Sequence, residues 1–225
     1  MRTLLFDLDG TLADTADDLI RAANACLGPA GGRLLDPVRD RALAYRGGRV
    51  MLRAGLGPDR EAEVEPLYPR LIAAYAEDIC GQTRLYDGVE AALERLTARG
   101  FALGLCTNKP EGLARDLIAR LGIDGFFGAL NGGDSFPVRK PDPRPLREAL
   151  ALLGGTAAAC LMVGDTVTDL DAARAAGAKI ALVGFGPEGT GVHRLAPDAV
   201  FEHYDALPDL AERLLPQGIA PAESA

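Results

Sequence analysis

Four short runs rich in Leu, Val, Ile, Ala and Phe, at residues 3 to 7, 101 to 106, 159 to 164 and 178 to 183, constrain this chain more than anything else in it. Each is a nearly continuous apolar run of strand length, the pattern of strands buried on both faces in a parallel sheet. Between the runs the spacing is helical. Residues 87 to 99 place Val89, Leu93 and Leu96 on one face and stop at Gly100. Residues 110 to 121 and 143 to 153 each start with proline, whose missing N–H is harmless in a first turn. Residues 168 to 176, TDLDAARAA, end at Gly177, just before the fourth run. Strands that alternate with helices call for right-handed crossovers, so the expected fold class is α/β with an open parallel sheet.

One interval breaks the rhythm. Between Asp14 and about Leu85 no convincing strand is visible, whereas residues 14 to 27 and 61 to 80 each carry an apolar stripe at helical spacing. Residues 28 to 36, GPAGGRLLD, and 45 to 50, YRGGRV, read as flexible breaks. The expected division is therefore a core built from residues 1–13 and 86–225, with a small helical unit, residues 14–85, inserted after the first strand. With 225 residues there is chain enough for both. The segment from Pro216 onward reads as a frayed tail.

A formal net charge of −8 argues against broad attraction to nucleic acid or to an anionic membrane, and any anionic substrate must be met by local cations. Cys26, Cys80, Cys106 and Cys160 lie far apart, with no metal-ligand spacing, and read as small apolar residues of a reduced compartment. Strand-like sequence begins within a few residues of Met1, with no signal-peptide pattern and no apolar run of membrane-spanning length, so a cytoplasmic location is expected. His193 and His203 have no partners at metal or triad spacing.

The polar residues that follow the strands carry the chemistry. Residues i and i+2 of a strand share a face, so Asp7 and Asp9 emerge side by side at the carboxyl end of the first run, where open α/β sheets bind ligands. Two adjacent carboxylates repel unless a cation or a shared proton joins them. Thr107 and Asn108 follow the second run, Asp165 follows the third, and Asp169 comes four residues later. Lys140, among Pro137, Pro141 and Pro143, is a cation on a restricted backbone. Taken singly, the aspartates serve equally as turn formers or helix-start acids, Thr107 and Asn108 as helix caps, and Lys140 as a solvated loop residue. Together they form a kit for a metal ion and a phosphate.

In order and spacing, DLDGT, LCTN, RKPDP and GDTVTD resemble the four motifs of the haloacid dehalogenase superfamily of phosphohydrolases, and the resemblance covers nearly the whole chain. It implies a Rossmann-like core with a helical cap of the first type at the inserted segment. It also implies that Asp7 is the nucleophile, forming an aspartyl phosphate, and that Asp9 is the acid and then the base. Mg²⁺ would be held by the Asp7 and Asp165 carboxylates and the Asp9 carbonyl, with Asp169 in support. Thr107, Asn108 and Lys140 would hold the phosphoryl oxygens, and Gly10 would permit a tight turn whose amides reach phosphate. Arg46, in the cap loop with Gly47, Gly48 and Arg49, is a candidate grip for a substrate carboxylate. Among superfamily groups the chain most resembles the phosphoglycolate phosphatases, which implies 2-phosphoglycolate as substrate. A sugar phosphomutase of the β-phosphoglucomutase kind, a pyrophosphatase and a receiver-like signalling domain stand as alternatives, and both monomer and homodimer are open.

Overall fold

The computed structural model describes residues 1–216; the greater part of the expected tail lies outside them. Its strands are β1 (Thr3–Phe6), β2 (Ala13–Asp14), β3 (Arg84–Leu85), β4 (Ala102–Cys106), β5 (Ala129–Asn131), β6 (Cys160–Gly164), β7 (Lys179–Val183) and β8 (Ala199–Phe201). Its α-helices are α1 (Ala16–Leu27), α2 (Arg41–Ala44), α3 (Gly48–Leu56), α4 (Val64–Glu77), α5 (Val89–Ala98), α6 (Glu111–Arg120), α7 (Arg144–Leu152), α8 (Val167–Ala176) and α9 (Leu207–Leu214). Six strands form one parallel sheet in the order β5-β4-β1-β6-β7-β8. The chain builds outward from β1 first to one side and then to the other, so the topological switch falls at β1 and opens a crevice beyond its carboxyl end.

Side-chain alternation explains the layers. Leu4 and Phe6 pack into an apolar cluster with α5, α6 and α9, through Leu93, Leu117 and Leu207 among others. Leu5 points the opposite way, into a cluster with Leu146 of α7 and Leu170 of α8. Because every residue of β1 is buried, the strand needs apolar side chains on both faces, which is why its sequence shows no polar alternation.

Helices α1 to α4 gather around a third apolar cluster that includes Ile20, Leu27, Met51, Leu52, Val64 and Leu71. This insertion leaves and rejoins the sheet layer through a short antiparallel ribbon, Ala13 opposite Leu85 and Asp14 opposite Arg84. Buried Asp18 secures the return: its Oδ2 accepts from the Gln82 and Thr83 amides at 2.9 and 2.8 Å and from the Thr83 hydroxyl at 2.8 Å. No helix among the described residues is long and apolar enough to cross a membrane.

Several expectations need correction. The sheet contains β5 and β8 in addition to the four expected strands, and the interval expected to lack strands is entered and left by β2 and β3. Residues 48 to 50, expected in a flexible break, form the first turn of α3. The stripe from 61 to 80 is divided between a 3₁₀ segment, Pro58–Glu63, and α4.

Candidate active site

The loop after β1 is built to present carboxylates. The Asp7 amide donates to Val163 at 2.9 Å, extending the β1–β6 pairing one residue past the strand. The chain then turns sharply, with the Leu12 and Ala13 amides both returning to the Leu8 carbonyl at 3.0 and 3.1 Å. Gly10 has φ +82°, and a Cβ there would lie 2.6 Å from Asp165 Oδ2, so glycine serves both the turn and the close approach. Of the turn amides expected to reach phosphate, that of Gly10 itself donates to the Ala13 carbonyl at 2.9 Å. Thr11 Oγ1 donates to Asp165 Oδ1 at 3.0 Å, and Tyr204 supports the turn from below by donating to the Thr11 carbonyl at 2.8 Å.

Three buried carboxylates, Asp7, Asp165 and Asp169, bring ligand oxygens within 4.8 Å of one another. Lys140 lies among them, fully enclosed, with Nζ 2.8 Å from Asp7 Oδ1 and 2.5 Å from Asp169 Oδ1. Burial alone would pull the ammonium toward neutrality, but Asp169 and Asp7 outweigh it and hold Lys140 charged. Burial pushes the Asp7 carboxyl up to about 6, with Lys140 opposing the shift and Asp169 adding to it. Asp165 is raised well above the usual carboxylate range by burial and by the charges of Asp169 and Asp7. Asp169 is saturated otherwise: its Oδ2 accepts from the Thr166 hydroxyl at 3.0 Å and from the Asp165 and Thr166 amides at 3.2 Å, closing a capping box on α8.

These residues suit a hard divalent cation. Asp165 Oδ2 is buried with no hydrogen-bond partner among the described residues, a costly arrangement that a cation would relieve. The donor atoms are all oxygens, and Asp7 and Asp165 are acids that desolvation drives to seek positive charge.

At the end of β4, the Thr107 amide is engaged with the Asn131 carbonyl at 3.0 Å, which leaves the hydroxyl as the Thr107 group available to a phosphoryl oxygen. The Asn108 side chain donates to the Lys140 carbonyl at 3.0 Å, tying the two loops together. The amides of Leu8, Asp9 and Asn108 have no acceptor among the described residues. Lys109 was not expected in the site. Its Nζ lies 2.9 Å from Asp9 Oδ1 and 2.8 Å from the Tyr75 hydroxyl of α4, and Asp9 and Tyr75 overcome the cost of burial to hold its pKa at about 12. The available signal was its position three residues past an inner strand, on the same edge as Asp7.

A cavity of about 600 Å³ lies between this edge and the helical insertion. Arg46, Arg49 and Arg53 line it from the insertion and Arg139 from the core. Arg49 is committed to Glu65 at 2.6 Å and stacks over Tyr68, and Arg53 pairs with Glu61 at 2.7 Å. Exposed Arg46 and Arg139 have no carboxylate partner within 4 Å among the described residues, so the expected grip residue does line the cavity. His193 and His203 lie apart from it.

A parallel sheet whose switch point carries an aspartate pair, two further acids and an enclosed lysine defines a hydrolase class, and the chain belongs to the haloacid dehalogenase-like hydrolase family, which it matches over residues 1–177. It is 42% identical over 217 residues to a phosphoglycolate phosphatase of Mesorhizobium japonicum, covering 94% of this chain and 96% of that one. A phosphoglycolate phosphatase of Cereibacter sphaeroides is 40% identical over 220 residues, covering 96% of this chain and 100% of the relative. A crystal structure from Haemophilus somnus, described as a predicted phosphoglycolate phosphatase, superimposes with a TM-score of 0.83 at 27% identity over 93% of this chain and 97% of that one.

Proposed function

We propose that this chain is a cytoplasmic phosphatase of small phosphate monoesters, 2-phosphoglycolate foremost, working through an aspartyl phosphate. The observation that carries the reading is the convergence of Asp7, Asp9, Asp165, Asp169 and Lys140 on one sheet edge, under a cavity lined by two arginines with no carboxylate partner among the described residues. The curated relatives of that name support the choice of ester. We assign the core to residues 1–13 and 86–225 and the substrate-enclosing cap to residues 14–85.

Asp7 attacks phosphorus, the ester P–O bond breaks, and its electron pair leaves on the ester oxygen, which takes a proton from Asp9. Water then attacks the acyl phosphate, Asp9 accepts its proton, and the bond to Asp7 breaks. Lys140 and the Thr107 hydroxyl hold phosphoryl oxygens, with the amides of Leu8, Asp9 and Asn108 as further donors in place of Gly10. Asn108 acts by fixing the Lys140 loop. The carboxylates of Asp7 and Asp165 and the Asp9 carbonyl, with Asp169 in support, would hold Mg²⁺, which would supply the positive charge that lets an anionic nucleophile meet an anionic ester. Arg46 pairs with the carboxylate of the glycolate portion.

The test is phosphate release from 2-phosphoglycolate, sugar phosphates and pyrophosphate, with and without Mg²⁺. We expect Mg²⁺-dependent release that favours 2-phosphoglycolate and disappears in Asp7→Asn. Arg46→Ala should raise KM for 2-phosphoglycolate by about tenfold, on the order of 1.4 kcal/mol, while leaving that for ethyl phosphate unchanged. No release from any ester at saturating Mg²⁺ defeats the assignment.

A further inference from the structure

A hydrogen-bonded chain of three side chains, one ion pair and a tyrosine hydroxyl, joins the sheet edge to the helical insertion, and neither metal nor phosphate binding accounts for it. Lys109 Nζ donates to Asp9 Oδ1 at 2.9 Å and to the Tyr75 hydroxyl at 2.8 Å, and it lies 4.3 Å from the centre of the Tyr75 ring. Lys109 and Tyr75 are buried, whereas the Asp9 side chain keeps 17% of its exposure and lines the cavity. Asp9 Oδ2 has no hydrogen-bond partner among the described residues. One oxygen of this carboxylate is therefore held in place, and the ion that holds it is fixed from both layers, by the loop after β4 and by α4.

Resting on the phosphatase reading above, we propose that Lys109 is the positioning residue for Asp9 and that Tyr75 makes this positioning conditional on the insertion being docked. With Oδ1 clamped, Oδ2 is the atom that faces the ester oxygen. When the ester P–O bond breaks and the proton passes from Asp9 to the departing oxygen, Lys109 already faces the carboxylate left behind, so no reorientation is required during transfer. The same clamp holds Asp9 as the acceptor of the water proton in the second half of the reaction. Bringing Tyr75 to Lys109 completes the acid–base apparatus only when the cavity is roofed, which ties proton transfer to exclusion of bulk water.

Two esters with opposite proton demand test this. Departing glycolate is a strong base and needs an acid, whereas p-nitrophenolate leaves without one. Single-turnover rates would be measured at saturating Mg²⁺ for 2-phosphoglycolate and p-nitrophenyl phosphate, with wild type, Lys109→Met, Lys109→Arg and Tyr75→Phe. Lys109→Met should lose about 100-fold in kcat and single-turnover rate on 2-phosphoglycolate, while its first-turnover nitrophenolate burst stays within about threefold of wild type. Lys109→Arg should recover part of the loss, and Tyr75→Phe should show the same leaving-group bias at smaller amplitude. Equal losses on both esters, or a change confined to KM, would overturn the proposal. Should Lys109→Met fail to fold by circular dichroism, Tyr75→Phe, which keeps the buried ring, decides on the same criterion. Wild-type enzyme that acts on neither ester refutes the phosphatase reading, and this proposal with it, a result distinct from an active wild type whose variants show no bias.

Discussion

Removing Lys140 leaves Asp7, Asp165 and Asp169 facing one another with no enclosed cation, because its ammonium bonds two of the three. Lys140→Met should therefore destabilise the protein in chelator by about 3–5 kcal/mol, read by denaturant titration, and divalent cation should restore part of that loss. The same carboxylates set a pH dependence. Asp7 is raised to about 6 and Asp165 is also raised. A carboxyl whose folded pKa exceeds its unfolded value contributes stability at low pH that is lost as pH rises through the folded value. In chelator, the melting temperature should accordingly fall from about pH 5 to about pH 7. Glu61, Glu63, Glu65 and Asp209, held low by arginine hydrogen bonds, act in the opposite sense, but only on the acid side of that window. Divalent-cation affinity should weaken below about pH 6, by up to about tenfold per pH unit for each proton displaced, as calorimetric titration would show.

At the scale of elements, α8 ties the sheet to the site through its capping box, where Thr166 and Asp169 satisfy each other's backbone donors. Thr166→Ala should cost about 1 kcal/mol, a fall of roughly 2–4 °C in Tm. The inner strands were legible from sequence because burial on both faces forces an unbroken apolar run such as CLMVG. Strands β5 and β8 are three residues each at the sheet's two edges, and two-residue β2 and β3 are too short for any period to register. Asp7, Asp9, Asp165 and Lys140 were legible through ordered motifs. Lys109 was not, because its meaning depends on Tyr75, which comes from a helix 34 positions earlier in the chain. Gly10 was legible as a turn former, but which acceptor its amide reaches is decided by the fold of the loop back to Ala13.

At the scale of the molecule, the insertion has its own apolar cluster, so it and the sheet should differ in their response to damage. Leu71→Ala should cost about 2–5 kcal/mol locally. By hydrogen exchange, amides of α1, α3 and α4 should lose protection while those of β1, β4 and β6 keep theirs. Sugar or glycolate esters should then compete on less unequal terms, since the cavity wall that carries Arg46 is loosened. The insertion leaves and rejoins the sheet layer at one narrow crossing, Ala13–Asp14 against Arg84–Leu85. Whatever lies beyond that crossing can lengthen, shorten or change composition at small entropic cost without shifting β1 against its neighbours. Descent can therefore retune which ester is admitted while the carboxylates and Lys140 of the sheet edge are inherited intact, provided that Tyr75 keeps its place beside Lys109.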